Sequence, residues 1–380
     1  TVGDDRASLS RAFAQASERA DAVIVNGGLG PTVDDLSQEL AAQAAGVELE
    51  LHQPWLDNLE AFYRSRGRVM PPNNRKQAML PAGCEFIDNP IGTACGFAVD
   101  IGKARFYFTP GVPREMRRMV TEQVIPRILK LSGLNVVTRL KRFHSFGIGE
   151  SRADELLKGI DDIMPSSVKL GFQSHFPQLE TKLAAVGSNE AELDQSLAAA
   201  EQLIRQRFGN FILCEDAQTL EGLIVEKLQA HNATIATLEM ASGGNICNRL
   251  AKADRNGNVV HSGIVGRQLT QLANAANLAE QPLQFGAEAA CTLAEHLRQH
   301  TATDYALVAL VAQEPVDENL RSGADVVIAI ATANETVSRP ARLMGGKEWI
   351  QLGSTEMALD ALRRLLYGLP LDEKSDFELQ

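Results

Sequence analysis

An apolar run, Ala22-Val23-Ile24-Val25, opens into Asn26-Gly27-Gly28-Leu29-Gly30-Pro31-Thr32-Val33-Asp34-Asp35, and a helical pattern over 36–45 follows. This order constrains the fold more than any other stretch. An uninterrupted apolar run reads as a strand buried on both faces, the habit of parallel sheets covered by helices. The loop then lies between strand and helix, at the carboxyl edge of an α/β sheet. Its glycines let backbone N–H groups approach an anion without Cβ obstruction. Asp34 and Asp35, at the loop–helix junction, can cap the helix or hold a hard divalent cation against phosphate oxygens. The segment fits neither G-x-G-x-x-G nor a P-loop. A glycine after a strand also suits a plain tight turn, and spacing alone leaves both readings open.

With 380 residues the chain exceeds one ordinary domain, so two or three are expected. An apolar fraction of 44% suffices for real cores. Cys84, Cys95, Cys214, Cys247 and Cys291 are scattered, without C-x-x-C or His at metal spacing. That argues against zinc and a disulfide framework, and for a reducing, cytoplasmic setting. Net charge is −11 and there is no basic stripe, which disfavours nucleic acid. No apolar run is long enough to span a bilayer, so no membrane partner is expected.

Helix and strand patterns alternate from 1 to 131: helix 8–20, strand 22–26, helices 36–45 and 54–66, a helix around 73–79, a hairpin of strands 96–101 and 104–109, and a helix over 114–131. Ser132-Gly133 reads as a linker. Residues 134–213 read as a small α+β unit of order β-α-β-β-α, with strand 135–145, helix 152–158, strands 167–172 and 178–186, and helix 190–208. From 217 to 370 alternation returns: helix 220–231, strand 234–238, a Ser242-Gly243-Gly244 turn opening another helix, helix 284–299, strands 305–312 and 325–332, and helix 354–366. The polar stretch 372–380 reads as disordered. The expectation is a layered α/β chain of three domains.

Four stretches then agree in order and spacing with a known family. Asn26 to Asp35 is similar to the GGLGPTxDD signature of the CinA family. Asn73-Asn74-Arg75-Lys76-Gln77-Ala78, Asn89-Pro90-Ile91-Gly92-Thr93-Ala94-Cys95-Gly96-Phe97 and Thr109-Pro110-Gly111-Val112-Pro113-Arg114-Glu115-Met116 follow in register. The likeness runs over nearly the whole chain. It implies a first domain of the molybdopterin-binding (MoaB/Mog-like) type, a KH-like middle domain, and a C-terminal domain resembling nicotinamide mononucleotide deamidase. In the family a first strand, a loop and a helix precede the point where this sequence starts. The expectation is therefore a first domain lacking its first strand, with an exposed sheet edge.

The resemblance implies hydrolysis of ADP-ribose to AMP and ribose 5-phosphate with a divalent metal. Cleaving a phosphoanhydride needs neutralised oxygen charge and an activated water. Asp35 is the expected closest metal ligand and Asp34 a second ligand or base; oxygen donors suit Mg, Mn or Co. Lys76 supplies a point charge for phosphate, with Arg75 its less favoured neighbour. Gly27, Gly28, Gly30 and Thr32 are expected to line the substrate, with Asn89, Gly92 and Thr93 forming a second polar loop. Gly111 and Glu115 stand at a helix start that favours an anion. On residue type alone, Arg75 and Lys76 suit a solvated face, Glu115 a helix cap, and Gly111-Val112-Pro113 a turn.

The family's deamidase signature, Ala-Glu-Ser-Cys-Thr-Gly-Gly with Ser as nucleophile, falls on Leu238-Glu239-Met240-Ala241-Ser242-Gly243-Gly244. The nucleophile position is Met240, and a thioether cannot form a covalent acyl intermediate. Ser242, before Gly-Gly at a helix start, reads as an ordinary cap. A Tyr-Ser-Asn-x-x-Lys segment should fall on Gly266-Arg267-Gln268-Leu269-Thr270-Gln271, where neither Tyr nor Lys stands. The Gly-rich substrate loop falls on Val311-Ala312-Gln313-Glu314-Pro315, without glycines. Deamidase activity is expected to be lost. Gly147-Ile148-Gly149 does not match the G-x-x-G clamp of nucleic-acid-binding KH domains. The leading expectation is a metal-dependent hydrolase of a nucleotide, acting as a homodimer. The alternatives are a non-catalytic module holding a pterin or nucleotide, and an assembly protein.

Overall fold

The computed structural model describes residues 1–133, 136–278, 283–314 and 323–378. The chain forms two compact units, Thr1–Asn135 and Val136–Gln380.

In the first unit the elements are α1 (Arg6–Arg19), β1 (Ala22–Asn26), α2 (Ser37–Ala45), β2 (Leu49–Leu51), α3 (Gln53–Ser65), β3 (Met79–Pro81), β4 (Glu85–Ile87), β5 (Gly96–Ile101), β6 (Ala104–Thr109), α4 (Pro113–Met119) and α5 (Ile125–Ser132). The sheet order is β1-β6-β5-β4. β1 and β6 are parallel, with Asn26 beside Thr109; β5 and β6 form the expected hairpin around Gly102. Phe13 meets Phe106 and Phe108 edge-on, and Phe97 stacks on Phe108 at 4.5 Å, so aromatic packing fills the space between α1 and the sheet. Asp5 caps α1 by accepting from Ser8 N at 2.9 Å.

Three expectations are corrected here. β1 is not buried on both faces: it pairs only with β6 at the sheet edge, and Ile24 is 46% exposed. The helix expected around 73–79 is a 3₁₀ segment, Pro72–Ala78, too short to show a helical period. The helix expected over 114–131 is interrupted by a π turn at Val120–Val124. Pro126 has no N–H to give the carbonyl of residue 122, and the wider turn accommodates that loss.

The second unit begins with β7 (Val137–Ser145), α6 (Glu150–Leu156), β8 (Val168–His175), β9 (Gln178–Gly187), α7 (Glu190–Phe208) and β10 (Ile212–Glu215), in a sheet of order β10-β7-β9-β8. Asn135, expected to open the first of these strands, lies outside the described residues. β10, too short for periodicity to signal, adds a strand after the expected β-α-β-β-α order. Alternate residues of β9, Leu179, Leu183 and Ala185, face Leu197 and Ile204 of α7 in one core.

α8 (Leu220–Ala230), β11 (Ile235–Met240), α9 (Asn245–Ala253), β12 (Val260–Gly266), α10 (Leu269–Ala275), α11 (Ala287–Thr301), β13 (Tyr305–Gln313), β14 (Gly323–Ala331), β15 (Thr336–Met344) and α12 (Lys347–Tyr367) follow. The sheet order is β12-β11-β13-β14-β15, with β11 parallel to both neighbours. α12 and α8 cover one face and α11 the other. No helix among the described residues is long and apolar enough to cross a membrane.

From Gly353 to Arg364, α12 is buried on all sides, charged residues included. Glu356 is 1% exposed and accepts from Arg249 Nη1 of α9 at 2.5 Å and Gln178 Nε2 of β9 at 2.6 Å. Asp360 takes Arg363 and Arg364, and Arg363 donates to the Asn210 carbonyl at 2.7 Å. These bonds join the two halves of the unit. The stretch 372–378, expected to be disordered, is also ordered: Arg364 holds Glu373 at 2.7 Å and Arg339 pairs with Glu378.

Breaking a buried charge pair leaves the survivor unpaired. Glu356→Ala is expected to lower the stability of the second unit by about 2–4 kcal/mol, read from urea unfolding of the variant against the parent, because Arg249 keeps only Glu221. A pH effect follows from Glu215, whose carboxyl is held at about 2 chiefly by the Arg205 hydrogen bond, against burial. A depressed carboxyl contributes stability above its unfolded value of 4.5 that is lost as pH falls toward about 2. Glu215→Gln is expected to flatten the melting temperature against pH over that window.

Candidate functional site

The parallel register of β1 and β6 ends at Asn26 and Thr109, so the loops leaving both strands meet. Gly27 N donates to the Thr109 carbonyl at 2.8 Å. A Cβ on Gly111 would lie 3.6 Å from Gly27 Cα, placing the two glycine loops against each other.

The first loop is closed on itself. Ser37 Oγ donates to the Gly27 carbonyl at 2.9 Å and Ser37 N to the Gly28 carbonyl at 3.1 Å. Thr32 N and Oγ1 donate to Asp35 Oδ2 at 2.9 and 2.5 Å. The Asp35 carboxylate lies over Gly30, where a Cβ would come within 2.4 Å of Oδ2 and the carboxylate would have to shift. Neither acid caps α2: its N-cap is Leu36 and makes no side-chain bond. The capping expectation is corrected because Asp35 turns back onto Thr32. Asp34 is exposed, and the Thr32 contact, aided by the Lys76 charge, holds its carboxyl below the usual carboxylate range.

Lys76 reaches this loop from the 3₁₀ segment. Its Nζ donates to the carbonyls of Thr32 at 2.5 Å and Asp35 at 2.6 Å. It is therefore a clamp on the loop, not a side chain on a solvated face. Arg75 is exposed.

The second polar loop is built around Asn89, which is 2% exposed. Asn89 Nδ2 donates to the Ala94 carbonyl at 2.8 Å and to Glu115 Oε2 at 2.9 Å, while its Oδ1 accepts from Gly92 N at 3.1 Å. Glu115 thus ties α4 to this loop instead of capping its own helix. A Cβ on Gly92 would fall 2.2 Å from Glu115 Oε2. Thr93 receives Trp55 Nε1 on its carbonyl at 3.3 Å and Gln77 Nε2 on its hydroxyl at 3.5 Å. All four motifs are thereby stitched together.

Ser37, Trp55 and Gln77 were not among the expected site residues. Gln77 adjoins Lys76 in a singled-out motif and could have been suspected. Ser37 and Trp55 act through distant backbone carbonyls, which no local pattern signals. No group of three or more His, Cys, Asp or Glu side chains suited to a metal occurs among the described residues. All five cysteines are free, and burial pushes the Cys84 thiol up to about 11.

The corresponding corner of the second unit is different. Glu239, fully buried at the end of β11, accepts from Ile246 N at 3.0 Å, Cys247 N at 2.7 Å and Ser242 Oγ at 2.5 Å. Glu239 therefore caps α9, and the expectation that Ser242 does so is corrected. Ser242 is itself fully buried, and its carbonyl is taken by Gln351 Nε2 at 2.7 Å. Met240 is half-buried beside it. The residues expected to form a substrate loop, 311–314, instead continue the β13–β14 ladder, with Glu314 N donating to the Gly323 carbonyl at 2.9 Å. Pro315 lies outside the described residues.

Residues 1–130 match the model of a probable molybdopterin binding domain, 140–213 that of the damage-inducible protein CinA KH domain, and 217–366 that of the CinA C-terminal domain. A CinA-like protein of Shewanella sediminis is 37% identical over 376 residues, covering 97% of this chain and 87% of its own. One of Escherichia coli is 39% identical over 254 residues, covering 67% and 62%. A solved competence-damaged protein (CinA) superfamily protein from Escherichia coli covers 42% of this chain and 98% of its own at 17% identity, with a TM-score of 0.35.

Gly92→Ala is expected to break the Asn89–Glu115 bond and cost about 1–3 kcal/mol, because Asn89 would be left buried without that partner. Thermal unfolding of the first unit checks it; an unchanged melting temperature would refute this account of the loop.

Proposed function

The chain belongs to the CinA-like protein family, and we propose that its first, molybdopterin-binding-like domain hydrolyses a nucleoside diphosphate sugar of the ADP-ribose type with a divalent cation. The observation that carries this reading is the convergence of four motif loops at the carboxyl ends of β1 and β6, held by Lys76, Asn89 and Glu115.

The donor set fits a magnesium-type cation. Such an ion is held by one or two carboxylates and completes its shell with water and substrate phosphate oxygens. Asp35, oriented by Thr32, and the exposed Asp34 are the residues that would hold it, and the bound ion would neutralise charge on the pyrophosphate. Asp34, exposed and not engaged as a helix cap, is the residue that would take a proton from the attacking water. Lys76 has three N–H donors and commits two to the loop, leaving one for a phosphate oxygen. Gly27, Gly28 and Gly30 offer backbone surface on one side of the substrate, and Gly92 and Gly111 on the other. The products would be AMP and ribose 5-phosphate. Five free thiols support a reducing, cytoplasmic setting.

We assign no deamidase chemistry to the last domain, although the family includes such enzymes. Met240 supplies no nucleophile, and the Ser242 hydroxyl is committed to Glu239 in the interior.

The test is incubation with ADP-ribose, with and without magnesium, and chromatographic separation of products. Metal-dependent AMP is expected, and Asp35→Ala should reduce it by ~10²–10³-fold, the scale for losing one electrostatic group. Absence of AMP from the parent protein with magnesium, manganese or cobalt overturns the proposal, as does full turnover by the variant.

A further inference from the structure

Residues 369–378 leave α12 and cross from the last domain to the KH-type domain. On the last domain, Arg364 Nη1 donates to the Pro370 carbonyl at 2.9 Å and to Glu373 Oε2 at 2.7 Å. Arg339 Nη2 donates to the Glu373 carbonyl at 3.0 Å and pairs with Glu378. Glu378 also forms an antiparallel bridge with Leu343 of β15.

On the KH-type domain, the contacts fall on the glycine loop between β7 and α6. Asp376 N donates to the Gly147 carbonyl at 2.8 Å, and Gly149 N donates to Asp376 Oδ2 at 2.9 Å. The other carboxylate oxygen, Oδ1, receives Arg152 Nη1. The Phe377 ring lies 6.0 Å from Phe146 and edge-on to Phe176 at 5.7 Å, and Phe176 stacks on Trp349 of α12 at 3.7 Å. Gly147 has φ +94°, and a Cβ there would come within 2.8 Å of Phe211 and 3.1 Å of Ser375. The loop is shaped around this segment.

We propose that Gly147-Ile148-Gly149 with Arg152 is a carboxylate-binding site whose ligand is Asp376 of the same chain, and that this segment latches the KH-type domain to the last domain. The chemistry is specific. One backbone N–H and one guanidinium N–H take the two carboxylate oxygens, a charge-assisted pair about twice as strong as neutral hydrogen bonds. The segment's own N–H returns a bond to the loop, which a free anion could not do. The aromatic side chain next to Asp376 packs beside Phe146 and edge-on to Phe176, so the latch joins a polar catch to an aromatic contact. Because both ends of the segment are anchored, the carboxylate is presented at high effective concentration and needs little intrinsic affinity. The occupied glycine loop is closed to a phosphate backbone, in keeping with the chain's net charge of −11.

The test is amide hydrogen exchange on the full chain, comparing the parent with Asp376→Ala, Arg152→Ala and the double variant. Loss of the charge-assisted bonds is expected to speed exchange at Gly149 and across 371–378 by ~10–100-fold in each single variant. Exchange in β11 should not change, which marks a variant that still folds. The double variant should add little to Asp376→Ala, which already removes the Arg152 bond together with the Gly149 bond. Arg152 is partly exposed, so its variant is the one that folds if Asp376→Ala does not. Exchange at Gly149 and 371–378 within twofold of the parent in a folded variant, or fully additive effects, overturns the proposal.

Discussion

Asn26 and Thr109 end two parallel strands side by side, and that pairing decides where the motif loops of the first unit meet. Parallel neighbours send their following loops out of the same sheet edge. Two glycine loops far apart in sequence therefore leave the sheet so close together that a Cβ added to Gly111 would touch Gly27 Cα. The other two motifs have no such strand to bring them in. They are drawn in by side chains: Lys76 across to the carbonyls of Thr32 and Asp35, Asn89 across to Glu115. A loop rich in glycine has high conformational entropy, and ordering it costs free energy at every residue. Bonds from an ammonium to two carbonyls offset that cost where a neutral side chain would offset less.

The second unit solves a different problem with similar means. Each half has a core of its own. Phe146, Leu213 and Cys214 of the first half pack into the core of the second, and what lies between the halves includes ion pairs on α12. Isolated buried charges are expensive, and a well-packed apolar replacement is often no less stable. What Glu356, Asp360, Arg363 and Arg364 add is direction. Glu356 has Gln178 and Arg249 as partners, Arg363 the Asn210 carbonyl and Arg364 Glu373, while Asp360 orients the two arginines from within the helix, so these bonds favour one register of α12. The segment 369–378 extends the same pattern past the end of α12.

Much of this was legible in the sequence wherever a period or a loop chemistry repeats locally. The β5–β6 hairpin, the 19-residue α7 and the glycine turn before α9 all follow from patterns within one window. The three-residue strands β2, β3 and β4 were not legible, since no period can be read from so few residues. β15 was missed because its side chains are half-buried without clean alternation, and Pro340 argues against a strand although edge strands admit it. The polar stretch 372–378 looked disordered because its order comes from arginines at 152, 339 and 364, all distant in sequence. At the candidate site, residue types were legible and contacts were not. Lys76 was recognisable as a cation, but its engagement with two carbonyls is a property of the fold.

The two glycine corners of the chain make the same local structure serve opposite ends. Each is a strand, a glycine turn and a helix, and each carries an acid nearby. In the last domain the acid precedes the turn and points inward. Glu239 is fully buried, and its oxygens are spent on Ile246 N, Cys247 N and the Ser242 hydroxyl. It satisfies the orphan donors of a helix start and leaves little for a ligand. In the first domain the acids follow the turn and stay at the surface, and α2 begins without a side-chain cap. Asp35 Oδ2 is taken within the loop by Thr32 N and Oγ1, while Asp34 is left exposed. The position of one acid relative to one turn thus separates a corner closed by its own buried carboxylate from one whose Asp34 carboxylate faces solvent.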